Sequence, residues 1–157
     1  MAKITFKAGE DFAIKLSALA DRSEEIVAAA LKAGAAPVAD RIRANLEANL
    51  KDQEYVGKRE GVLFKKTYSK PTGALLKSFG ITPVKKGADG WWTVKIGVEG
   101  YDPRGIPNAL KARVMESGSS AIRKRPFVRP AVNATKKAAV AAMQDVIDSE
   151  CKKTMKG

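Results

Sequence analysis

The chain has 157 residues, which suits one domain with a real core, whereas two domains would each be marginal. It carries 29 Lys and Arg against 17 Asp and Glu, a net charge of +12, more than a small domain needs for solubility. It contains no histidine and one cysteine, Cys151, which removes the commonest general base, the commonest metal ligand and any intramolecular disulfide framework.

Met1 to Phe12 mixes lysines and acids without an apolar core region, so no signal peptide is expected. Ile4, Thr5 and Phe6 predict a short strand, and Gly9, Glu10 and Asp11 a helix entry with acids favoured in the first turn. Phe12, Leu16 and Leu19 follow at helical spacing. A weak break at Asp21, Arg22 and Ser23 restarts the helix, with Ser23 as a good N-cap. Val27, Leu31, Ala35, Val38, Ile42, Leu46 and Leu50 then recur every three or four residues as one apolar stripe, which reads as core or as a seam between subunits. Gly34 and Pro37 inside it predict a kink near 33–37. The most apolar run, Ile26 to Ala39, is too short to span a bilayer and is broken by Lys32 and Pro37. A cytosolic product is expected.

From about 51 to 72 the character changes. Gly57 and Gly61 bracket a charged tip, with β-favouring Tyr55, Val56, Val62, Leu63 and Phe64 on either side. This is either a basic hairpin arm or a solvated loop, and in both cases Lys58, Arg59, Lys65 and Lys66 make it strongly positive. Phe79 and Ile81, then a turn at Gly87 to Gly90, then Trp92, Val94, Ile96 and Val98 alternating with Trp91, Thr93, Lys95 and Gly97, predict an antiparallel hairpin with one buried face. Tyr101 to Pro107 is a proline-rich loop, and Ala109 to Met115 a short helix stopped at Ser117 and Gly118.

The segment Ala121 to Ala131 is the most rigid in the chain. Pro126 and Pro130 fix their own φ and push Arg125 and Arg129 into extended backbone, and a proline is well tolerated at the start of a helix. The segment therefore launches a last helix, Pro130 to about Cys151, with Val132, Thr135, Ala139, Met143 and Val146 on one face. Gly118 permits a positive-φ helix stop. Glu116, at a helix C-terminus, needs a positive partner, for which Arg125 or Arg129 is expected, either as an exposed bridge or as a partly buried, geometry-fixing pair. Phe127 is expected in the core.

Two stretches, residues 70–81 and 110–133, resemble the tail-completion, or neck, proteins of long-tailed siphophages, the family named after the gene-ten product of a lambda-like phage. The residues that carry the resemblance are Pro71, Thr72, Gly73, Leu75 and Ser78, then Glu116, Gly118 and Ser119, and finally Arg125, Pro126, Phe127, Arg129, Pro130 and Ala131. Ser117 stands where an aromatic is common, Ser119 where threonine is usual, and the arm is longer than in many members. The resemblance implies an extended segment opening the sheet, and a minor tail component at the head–tail junction that forms a homo-oligomeric ring, six-fold by analogy. Its partners would be other copies of itself and the connector, tail-terminator or tail-tube proteins.

The expected fold is a single α+β domain over 1–157: an antiparallel sheet of about three to five strands packed against a long kinked N-terminal helix and a C-terminal helix. The expected role is non-enzymatic, with no catalytic residue, cofactor or metal, and with Glu116, Gly118, Arg125, Pro126, Phe127, Arg129 and Pro130 as the assembly joint. The protein is expected in the virion, and in the host cytoplasm during assembly. The alternative is a non-specific nucleic-acid-binding protein using its basic surface, including Arg123, Lys124 and the 58–66 arm. No base-reading motif is visible, so contact with passing DNA would be salt-sensitive and sequence-independent.

Overall fold

A computed structural model describes residues 10–51, 73–120 and 123–156. The expected strand at residues 4–6, the basic arm with Lys58, Arg59, Lys65 and Lys66, and Pro71 and Thr72 lie outside the described residues. The architecture is α+β, as the periodicities indicate. Helix α1 (Glu10–Asp21) and helix α2 (Ser23–Lys51) are separated by the single residue Arg22. A helical turn α3 (Ala74–Lys77) leads into strand β1 (Phe79–Ile81), and β2 (Lys85–Lys86), β3 (Trp92–Thr93) and β4 (Ile96–Val98) follow. Helix α4 (Asn108–Ser117) and helix α5 (Val128–Lys156) complete the described elements.

The main packing unit is α2 against α5. The helices run antiparallel: Arg22 bonds Glu150 at 3.1 Å near one end, and Asn45 Nδ2 donates to the Phe127 carbonyl at 3.1 Å near the other. Residues Ile26, Ala30, Gly34, Ala35, Ala39, Ile42 and Leu46 of α2 are buried. In the first half of the helix this face lies one residue before the expected Val27–Leu31 stripe. Small side chains are what let two backbones approach closely, so alanine and glycine are buried while Val27 and Leu31 flank the contact half-buried. A Cβ added to Gly34 would fall on the side chain of Met143 from α5. The helix runs unbroken through Pro37. Ser23 is the first helical residue of α2 and not its N-cap: the Arg22 carbonyl accepts the Ile26 N–H at 3.0 Å.

The four strands form two antiparallel pairs, β1 with β4 and β2 with β3, in place of one wider sheet. They belong to a single hairpin closed by the turn Gly87–Gly90, where the Gly87 N–H donates to the Trp91 carbonyl at 2.8 Å. The register shifts by one residue between the pairs: Ile81 faces Ile96, but Lys85 faces Thr93. Pro83 and Val84 therefore sit opposite Val94 alone, a bulge that absorbs the missing proline N–H. Trp92, Val94, Ile96 and Val98 are half-buried and Trp91, Thr93, Lys95 and Gly97 exposed, as the alternation predicts.

The core gathers where the hairpin base, α3, α4 and the N-terminal end of α5 meet the second half of α2. It contains Ala39, Ile42, Leu46, Leu75, Phe79, Met115, Phe127 and Ala131. Leu75 enters it from the helical turn α3, so the segment opening the sheet is helical here over 74–77, not extended. Helix α5 starts two residues before Pro130 and runs to Lys156, beyond Cys151. Its buried face holds Ala131 and Ala139, while Val132, expected inside, is exposed.

Candidate assembly joint

The joint is built by the last turn of α4, the link to α5 and one face of α2. Helix α4 stops at Gly118, whose backbone sits at φ 79° and ψ 178°, with its N–H on the Val114 carbonyl at 2.8 Å. This conformation is essentially confined to glycine. The chain returns so that the Arg125 N–H donates to the Met115 carbonyl at 2.7 Å. Asn49 Nδ2 donates to the Arg125 carbonyl at 3.0 Å, one turn along α2 from the Asn45–Phe127 bond. Asn45 and Asn49 thus hold both main-chain sides of Pro126. The motif reading missed them; their signal is a pair of amides four residues apart beside Leu46 and Leu50.

Glu116 occupies the centre. Its Oε2 accepts the backbone N–H of Phe127 at 2.7 Å and of Val128 at 2.9 Å, and its Oε1 accepts that of Arg129 at 3.0 Å. The next residue, Pro130, has no N–H. One carboxylate therefore satisfies the donors that the first turn of α5 leaves without helical partners. The expected arginine tie is thus replaced by main-chain amides at the positive end of a helix dipole. Burial pushes the Glu116 carboxyl pKa up, but the three amides and the charge of Arg129 outweigh it, and the group titrates below its ordinary value. An acid at the end of α4 is stable there because it also begins α5.

Phe127 is 2 % exposed and packs in the core cluster. Pro126, Arg129 and Pro130 are exposed and Arg125 is half-buried. Between α4 and the start of α5 lies an open groove of about 470 Å³, lined by residues that include Ala112, Arg113, Val128, Arg129 and Val132.

A second ordered turn precedes α4. Buried Asp102 accepts the N–H of Arg104 at 2.9 Å and of Ile106 at 2.8 Å, and the Lys111 ammonium pairs with its other oxygen. The Lys111 bond first, and then the Ile106 amide, hold the Asp102 carboxyl below its ordinary range despite burial. The result is a closed 101–107 loop that displays Tyr101 and Ile106 to solvent.

Among the described residues no group of His, Cys, Asp and Glu is placed to hold a metal ion, and no helix is long and apolar enough to cross a membrane. Residues 10–118 match the model of a family described as "Bacteriophage HK97-gp10, putative tail-component". The chain belongs to this family. The match spans α1 to the Gly118 stop and so includes Glu116; the proline-set link and α5 lie beyond it. No curated protein and no solved structure matches the chain. As a member of the HK97-gp10-like family, the protein is a phage tail component, and a place in the virion follows.

Proposed function

We propose that this tail component is a non-enzymatic structural protein of the head–tail junction, completing or joining the tail as a homo-oligomeric ring. The observation that carries the reading is the family match over residues 10–118. The joint supports it: a carboxylate, a glycine stop, two prolines and two asparagines fix the angle between α4 and α5, which defines a shape and leaves no free nucleophile or base. Apolar side chains left at the surface add further support. Trp91 is 72 % and Tyr101 71 % exposed, at the hairpin tip and the 101–107 loop. Exposed aromatics of this size are characteristic anchors of protein–protein contacts. The partners are other copies of the chain and neighbouring connector, terminator or tube proteins, with salt-sensitive contact to passing DNA as a secondary property of the +12 charge.

Native mass measurement and sedimentation at low salt test the reading. Rings, or docking onto purified tails that lack this component, are the expected result. Charge reversal at Arg125 and Arg129 should impair particle assembly more than folding. A stable monomer that binds duplex DNA with submicromolar affinity and never docks onto tails would replace this function with the nucleic-acid-binding alternative.

A further inference from the structure

Two apolar surfaces lie at opposite ends of the α2–α5 pair. At one end, α1 packs along the last turns of α5, with Lys15 Nζ donating to the Met155 carbonyl at 2.9 Å. Phe12 and Leu16, one turn apart on α1, are 49 % and 46 % exposed. Glu10 and Asp11 occupy the same first turn. At the other end, the groove between α4 and α5 has an apolar floor of Ala112, Val128 and Val132 and carries Arg113 and Arg129. Leu110, 51 % exposed, extends it one turn along α4.

The surfaces are complementary: bulky side chains beside acids on α1, an open apolar groove beside arginines at the joint. They cannot meet within one chain. Arg129 and Met155 are separated along α5 by about 40 Å of helix at 1.5 Å per residue. We propose that α1 of one copy docks into the α4–α5 groove of the next, with Phe12 and Leu16 against Val128 and Val132 and with Glu10 and Asp11 facing Arg113 and Arg129. The contact joins two different patches, so it is head-to-tail and generates a ring when its rotation closes. It rests on the ring reading and specifies which faces form the ring.

The test is a complementation between two defective interfaces. Phe12→Asp spoils the helix and leaves the groove intact; Val132→Asp spoils the groove and leaves the helix intact. Both positions are exposed, and thermal melts verify that each variant folds; Leu16→Asp and Leu110→Asp serve in their place if one does not. Each variant alone should fail to form the wild-type oligomer, and an equimolar mixture should give 1:1 heterodimers by native mass spectrometry, because one good contact remains. Arg113→Glu should weaken self-association at least tenfold, and pairing it with Glu10→Lys and Asp11→Lys should restore it. Variants that still assemble like wild type, a mixture that stays monomeric, or a charge swap without rescue would each overturn the docking while leaving the ring reading in place. A wild-type chain that never self-associates would remove both.

Discussion

Glu116 and Phe127, eleven residues apart and on different helices, are joined by a 2.7 Å bond from the Phe127 N–H to the Glu116 carboxylate. The bond couples a polar anchor to an apolar one at the same residue. The amide of Phe127 begins α5 on the α4 carboxylate, while its ring fills the core formed with Leu46 and Met115. The angle between the two helices is therefore fixed from both sides, and the groove between them keeps a set width.

Removing the carboxylate tests the polar half. Glu116→Ala leaves three first-turn amides of α5 without their acceptor, and should cost about 2 kcal/mol, at the upper end of helix-capping effects. Glu116→Gln keeps an acceptor oxygen but loses the charge and one lone-pair-rich site, and should cost roughly half as much. Urea denaturation at neutral pH measures both. Equal stability of Glu116→Ala and wild type would mean that water caps α5 as well as the carboxylate does.

The same group gives a pH signature. Its folded pKa lies below its ordinary value, so its stabilising contribution is complete above the unfolded value of about 4.3 and is lost as pH falls through the folded value. Asp102, Glu150 and Glu47 are shifted in the same direction, chiefly by hydrogen bonds from Lys111, Lys153 and Lys51. Wild type should therefore lose stability steadily below about pH 4.5, and the gap between wild type and Glu116→Gln should narrow over that range. A gap that stays constant down to about pH 3 would show that the carboxylate is not shifted.

Gly118 stands where the backbone is at φ 79° and ψ 178°. Any side chain there strains the α4 stop, so Gly118→Ala should destabilise by about 1–3 kcal/mol. Gly118→Asn should bring no relief, because asparagine favours the αL region near ψ 45° and not this one. Stability within about 0.5 kcal/mol of wild type for Gly118→Ala would mean that the turn relaxes freely.

The helices and the hairpin were legible because their periods of 3.6 and 2 are written in large apolar residues. The antiparallel helix seam was misplaced for the same reason: weight of side chain favours Val27 and Leu31, whereas close packing selects Ala30 and Gly34. Glu116 and Gly118 stood out in sequence, but charge pairing directs attention to arginine side chains. A helix start is also positive, and the missing N–H of Pro130 was the available sign that three donors, not four, needed an acceptor. The bulge at Pro83 was similarly present as a proline inside a strand pattern. The 101–107 turn was recognisable as a loop, while its Asp102–Lys111 centre depends on α4 folding back beside it and carries no local spacing signal.

Phe127 tests the apolar half of the joint. At 2 % exposure in a packed cluster, truncation to alanine should cost about 3–5 kcal/mol in equilibrium unfolding. Phe127→Leu keeps most of the volume and should cost less than about 1.5 kcal/mol. A loss under about 1 kcal/mol for the alanine variant would place the ring outside the core.

Gly34 and Met143 test the helix seam. An alanine at 34 gains about 1 kcal/mol of helix propensity over glycine, but its Cβ falls on the Met143 side chain, including the Cγ close to the α5 backbone. The methionine must swing away, so Gly34→Ala should be destabilising in the wild-type background despite its propensity gain. In a Met143→Ala background the obstruction is gone, and the same change should become neutral or stabilising. A double-mutant cycle should therefore show a coupling of about 1–3 kcal/mol, the range for side chains in direct contact. Additive effects would mean that α2 and α5 do not approach each other at these two residues.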